Sequence, residues 1–145
     1  WPHDTALCAL GLSHYGERDG VVALTAALFE TAANFEMRLP ELFCGFPRAA
    51  GEPPVAYPVA CIPQAWAAGS VFMMLQACLG LTVDGVAGQV TFVDPRLPIG
   101  IDHMRIEGLQ VGEHCIDIGL QQVGGQVEVL TAAKPGVVRT KRPGD

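Results

Sequence analysis

Residues Met37 to Trp66 read MRLPELFCGFPRAAGEPPVAYPVACIPQAW, and the interpretation of the whole chain turns on them. The stretch is punctuated by proline and lies between two strongly apolar segments with helical spacing. It carries a carboxylate at Glu41, arginines at 38 and 48, and the aromatics Phe43, Phe46, Tyr57 and Trp66. Ordered loops of about 20 residues or more are uncommon inside compact domains and tend to be functional. The chemistry of the chain is therefore expected here, with the flanking segments as scaffold.

Working outward, the N-terminal side reads as a helical hairpin. Asp4 is a natural N-cap for a helix that stops at Gly16. A second helix starts near Asp19 and runs to about Phe35, with Val21, Leu24, Ala27 or Leu28, Thr31 and Phe35 on one face. Arg38 and Pro40 end it, because a residue before proline is pushed out of the helical region. On the C-terminal side a third helix is expected from Pro63 to Gly80. It is apolar on nearly every side and reads as a central helix. From Thr82 onward the pattern changes to strand-like alternation. The runs are Val90–Val93, His103–Ile106, His114–Leu120 and Gln126–Leu130, with Gly124-Gly125 as a two-residue hairpin signal and Glu107–Gln110 as a further turn. The expectation is a mainly α chain with a β appendage of three or four antiparallel strands, from about 89 to 131. The divisions expected are 1–82 for the helices, 83–133 for the β extension and 134–145 for a flexible tail.

Composition narrows the function classes. A net charge of -6 argues against nucleic acid as a partner. Half of the residues are hydrophobic, 17% are charged and the mean hydropathy is +0.31, against about 25% charged for an average soluble domain. No run is long enough to span a bilayer, since Ala65 to Leu81 is interrupted by Gly69, Ser70 and Gln76. No membrane is expected, and the excess apolar surface predicts burial against another polypeptide. A chain that begins Trp-Pro-His-Asp reads as a piece of a longer protein. Five cysteines without CxxC or CxxH spacing read as reduced core thiols of a cytoplasmic protein. His103 and His114 lack partners at metal-ligand spacing, so no metal and no cofactor are expected.

Within the loop, Glu41 stands between Pro40 and Leu42, where apolar neighbours would desolvate a carboxylate and suit it to proton transfer. The alternative is a salt bridge with Arg38 or Arg48. Trp1, Phe43, Tyr57 and Trp66 offer flat apolar platforms of the kind on which sugar rings stack beside charged groups, or they are ordinary core aromatics. Asp4 is an N-cap or a site carboxylate.

Three separated motifs add a resemblance. Trp1-Pro-His-Asp-Thr-Ala-Leu, Arg38-Leu-Pro-Glu-Leu-Phe-Cys-Gly-Phe and Tyr57-Pro-Val-Ala-Cys-Ile-Pro-Gln-Ala-Trp-Ala-Ala-Gly stand in this order. Together they resemble the C-terminal end of the bacterial amylo-α-1,6-glucosidase, or glycogen debranching enzyme-like, family. The resemblance covers residues 1 to about 82 and extends more loosely to Pro95-Arg96-Leu97-Pro98 and Gly108–Gly112. It implies the last three or so helices of an (α/α)6 toroid followed by a small antiparallel β sheet. It also implies inverting hydrolysis of an α-glucan-type oligo- or polysaccharide. Glu41 would then be the general base, and Trp1, Asp4, Arg38, Tyr57, Gln64 and Trp66 would contact substrate. The general acid and the N-terminal part of the barrel would lie upstream. The chain alone is expected to be inactive and to self-associate. The other reading is a non-catalytic carbohydrate-binding or structural domain.

Overall fold

Three helices and six strands form among the residues described by the computed structural model, which are 1–49 and 51–142. The chain divides into two compact units, Trp1–Leu75 and Gln76–Asp145.

In the first unit, α1 (Pro2–His14) and α2 (Arg18–Ala33) pack as the expected antiparallel pair. Gly16 takes φ +82° in the turn between them, a conformation glycine adopts without steric cost. Arg18, buried at the start of α2, donates through Nη1 to Ser13 Oγ at the end of α1, which fastens the turn. The helix start differs from expectation. Trp1 is the N-cap and Pro2 the first helical residue, so Asp4 sits in the first turn, where its charge favours the helix dipole. The faces interlock through small side chains: Ala6 and Ala9 of α1, and Val21, Thr25, Leu28 and Ala32 of α2, are buried. Thr25 Oγ1 donates to Val21 O (2.8 Å) and lies 3.6 Å from Met74 Sδ. Met74 belongs to α3 (Ala65–Leu79), whose Ala67, Ser70, Met74, Ala77 and Cys78 are buried at helical spacing. Trp66 and Phe72 of α3 are exposed, so this helix has one buried face and one open face.

The second unit holds the end of α3 and two three-stranded sheets. One has the order β1 (Leu81–Asp84), β2 (Gln89–Val93), β6 (Val138–Lys141); the other is β3 (His103–Val111), β4 (His114–Val123), β5 (Gln126–Thr131). Strict alternation builds the core. Val90 and Phe92 of β2, and Ile116, Ile118 and Leu120 of β4, point inward with Leu79, Leu97, Val111 and Val137. Gly124-Gly125 turns β4 into β5 with φ +56° and +84°, as the dipeptide predicts. Glu107–Gln110 is no turn. It lies inside β3 at a register irregularity between Ile106 and Leu109, and the hairpin into β4 is made by Gly112-Glu113.

The chain is thus a mixed α/β fold and not the last helices of an (α/α)6 toroid followed by one antiparallel sheet. The reason is the region after Gly80. It does not append a small sheet to a helical body but folds around an apolar core of its own, with β2 and β6 paired in parallel. Strand formation begins at Leu81, and the segment expected to be a flexible tail contributes β6. Residues 143–145 of that expected tail lie outside the described residues. The unit boundary falls inside α3 rather than at residue 82. The cysteines also depart from expectation. None of the five is in a disulfide, but Cys78 alone is buried, Cys44 is half-buried, and Cys8, Cys61 and Cys115 are exposed. No helix among the described residues is long and apolar enough to cross a membrane.

Candidate functional site

The two limbs of the loop between Met37 and Gln64 are joined by their own main chain. Phe43 and Ala56 form an antiparallel bridge, Cys44 N–H donates to Val55 O (2.7 Å), and Tyr57 N–H donates to Leu42 O (3.4 Å). The loop is therefore a folded-back ribbon, with residues 41–44 lying along 55–61. Buried Leu39 and Pro40 anchor its first strand. Just before them, Glu36 and Met37 take φ +53° and +60°. Two consecutive non-glycine residues in the left-handed region are unusual, and surrounding structure must hold them there.

Glu41 is half-buried and pairs with Cys61 on both sides of its own residue. Its N–H donates to Cys61 O (3.0 Å), and its carboxylate Oε2 accepts from Cys61 N–H at the long distance of 3.4 Å. Neither arginine considered for a salt bridge takes part. Arg48 Nη1 donates to Glu52 O (2.6 Å), while the Glu52 carboxylate accepts from Ala49 N–H (3.2 Å). Arg38 is exposed and lines a cleft of about 350 Å³ with Asn34, Phe35, Glu36 and Ile62.

The aromatic candidates separate into two groups. Trp66, in the first turn of α3 and 50% exposed, stacks on the His3 ring with centroids 5.9 Å apart and planes 25° apart. His3 Nδ1 lies 3.6 Å from Asp4 Oδ1. The start of α1 and the start of α3 thus present a Trp–His–Asp array, open to solvent at both Trp66 and Asp4. Trp1 faces a different, shallow cleft of about 180 Å³, shared with Phe43, Arg48 and Pro54. Phe43 also meets the Phe35 ring, with centroids 5.3 Å apart. Tyr57 is 46% exposed on the returning limb of the loop. Gln64 serves the start of α3. Its Oε1 accepts from Ala65 N–H (2.9 Å), and its main-chain oxygen accepts from Ala68 N–H (2.9 Å).

The loop therefore joins Glu41 to the segment that leads into Trp66, and α1 brings His3 and Asp4 to Trp66. Glu41 lines neither of the two clefts that hold Arg38 and Trp1. Sequence reasoning passed over His3, whose role depends on a ring contact made far along the chain. Its only local signal is its place beside Asp4 in a first helical turn. No protein-family model matches this chain, and no curated protein aligns with it significantly.

Proposed function

We propose that this chain is part of a cytoplasmic glycoside hydrolase and supplies the general base, Glu41, for inverting hydrolysis of an α-glucan-type oligo- or polysaccharide. The observation that carries the reading is the pairing of Glu41 with Cys61. It holds a half-buried carboxylate on the segment that runs into Trp66, whose open ring offers a sugar a face to stack on. The order of the three motifs around Trp1, Glu41 and Trp66, resembling the debranching enzyme-like glucosidases, supports the same assignment.

In an inverting hydrolysis the base removes a proton from water as its oxygen attacks the anomeric carbon, while a separate carboxylic acid protonates the departing oxygen. The two carboxyl groups stand about 6.5–9.5 Å apart to admit that water. Glu41 takes the first role. The acid is assigned to a part of the parent protein outside this chain, so the chain alone binds glucan without turning it over. Trp1, Tyr57 and Trp66 act as stacking surfaces, and Asp4 and Arg38 act as hydrogen-bond partners for hydroxyls.

The test is Glu41→Gln in the full-length parent, measured beside Trp66→Ala. Loss of a general base lowers kcat by about 10²–10⁴-fold, with glucan affinity retained in Glu41→Gln and reduced in Trp66→Ala. An unchanged kcat in Glu41→Gln removes the base assignment. If Trp66→Ala still weakens binding in that case, the chain is a carbohydrate-binding domain without a catalytic role, a reading favoured by the solvent-open Trp66–His3 stack.

A further inference from the structure

The first turns of α1 and α3 are each fixed by local hydrogen bonds. In α1, Thr5 N–H (3.0 Å) and Thr5 Oγ1 (2.9 Å) both donate to Trp1 O. In α3, Gln64 accepts from Ala65 N–H with its side chain and from Ala68 N–H with its main-chain oxygen. His3 and Trp66 stand on these two turns, far apart in sequence but within the same unit. Their rings stack with centroids 5.9 Å apart and planes 25° apart, a spacing and tilt favoured by aromatic pairs.

Two features of this stack point beyond packing. A tryptophan ring is large and on average well covered. Trp66 is instead 50% exposed, and the core of the helices is made by Ala6, Ala9, Val21, Leu28, Ala67 and Met74, without either ring. With one side against His3 and half of its surface in water, the indole keeps a flat apolar face open. The second feature is how His3 is held. Neither of its nitrogens is hydrogen-bonded among the described residues, and Asp4 Oδ1 lies 3.6 Å from Nδ1, beyond hydrogen-bond distance. His3 therefore meets Trp66 with the face of its ring, and its nitrogens fix nothing.

We propose that His3 is a positioning residue, which fixes the indole of Trp66 as a one-sided platform for a sugar ring. The inference rests on the glucan-binding reading of Trp66 given above. An open indole on a helix surface has more than one staggered rotamer available to it. A ring left free must be ordered when a sugar stacks on it, and that ordering is subtracted from the affinity. The His3 ring selects the rotamer in advance and closes one face, so the sugar stacks on the other. His3 itself makes no bond to the sugar and takes no part in proton transfer.

Isothermal titration of the chain with maltoheptaose tests this. His3→Ala weakens binding by about 2–10-fold, the range expected when one side chain must be immobilised anew. His3→Phe keeps a flat ring without nitrogens and retains the parental affinity. Made in a Trp66→Ala background, His3→Ala weakens binding no further, because His3 acts only through Trp66. Parental affinity in His3→Ala beside a loss in Trp66→Ala overturns the inference and leaves the glucan-binding reading standing. An equal loss in His3→Phe and His3→Ala, or an added loss in the Trp66→Ala background, overturns it in favour of a direct bond from the imidazole to the sugar. Parental affinity in Trp66→Ala removes the glucan-binding role of Trp66, and this inference with it. His3→Gln, a polar side chain without a ring, decides the matter if His3→Ala fails to fold.

Discussion

Asp117, open to solvent on β4, accepts from Gly108 N–H (2.8 Å) and from Arg105 Nη2 (3.1 Å). The Gly108 amide first and the Arg105 side-chain hydrogen bond second hold its carboxyl below the ordinary value of 3.8, desolvation opposes them, and the Arg105 charge adds the smallest contribution. A carboxylate whose folded pKa is depressed stabilises the fold above its unfolded pKa, and the effect is lost as pH falls through the folded value. Asp117→Asn should therefore lower the thermal midpoint at neutral pH, and the difference from the parent should shrink as pH drops below about 4. Melting curves across that range check it, and a difference independent of pH would point to shape rather than charge. The same backbone logic governs Glu41. The residue pattern singled it out as a loop carboxylate but suggested arginine partners, whereas its partner is the main chain of Cys61. Every non-proline residue carries the same amide and carbonyl, so such a bond leaves no mark in residue types. The Trp66–His3 stack was hidden for a related reason, since it joins residues at opposite ends of the first unit.

At the scale of elements, turns decided what could be read. The β3–β4 hairpin depends on Gly112, whose φ is +58° and whose added Cβ would lie 3.1 Å from the Gly85 carbonyl oxygen. Gly112→Ala combines left-handed strain with contact against backbone, and should cost about 1–3 kcal/mol in urea unfolding. A neutral result would show that the Gly85 segment moves aside. Gly124-Gly125 was legible because a glycine pair between alternating strands signals a hairpin directly. Gly108 misled because a glycine inside a strand marks a bulge as readily as a turn. The helices were legible from their periodicity, but α3 was not read as one-sided. Its exposed residues, Trp66 and Phe72, are as apolar as its buried Met74 and Ala67, so polarity could not tell the faces apart. That ambiguity favoured a central helix of a larger helical body. β6 was missed because it is short and basic, and its partner β2 lies far back in the sequence.

For the whole molecule, the apolar composition remains to be accounted for. Phe46 (68%), Val59 (81%) and Phe72 (72%) are well exposed, and large apolar side chains left in water favour association. The isolated chain should sediment as more than a monomer at micromolar concentration, with Phe72→Glu shifting the distribution toward monomer. A clean monomer of the parent sequence would show that this surface is tolerated in water. The parallel pairing of β2 with β6 has a consequence of another kind, in the order of assembly. β2 is the middle strand of its sheet, yet one of its two neighbours is made only after β3, β4 and β5 have left the ribosome. Until then the central strand has a bare flank, and such non-local closures are slow steps in folding. Clipping the chain before Val138 would not trim a loose end but would restore that unfinished intermediate, with an open edge ready to pair with another copy.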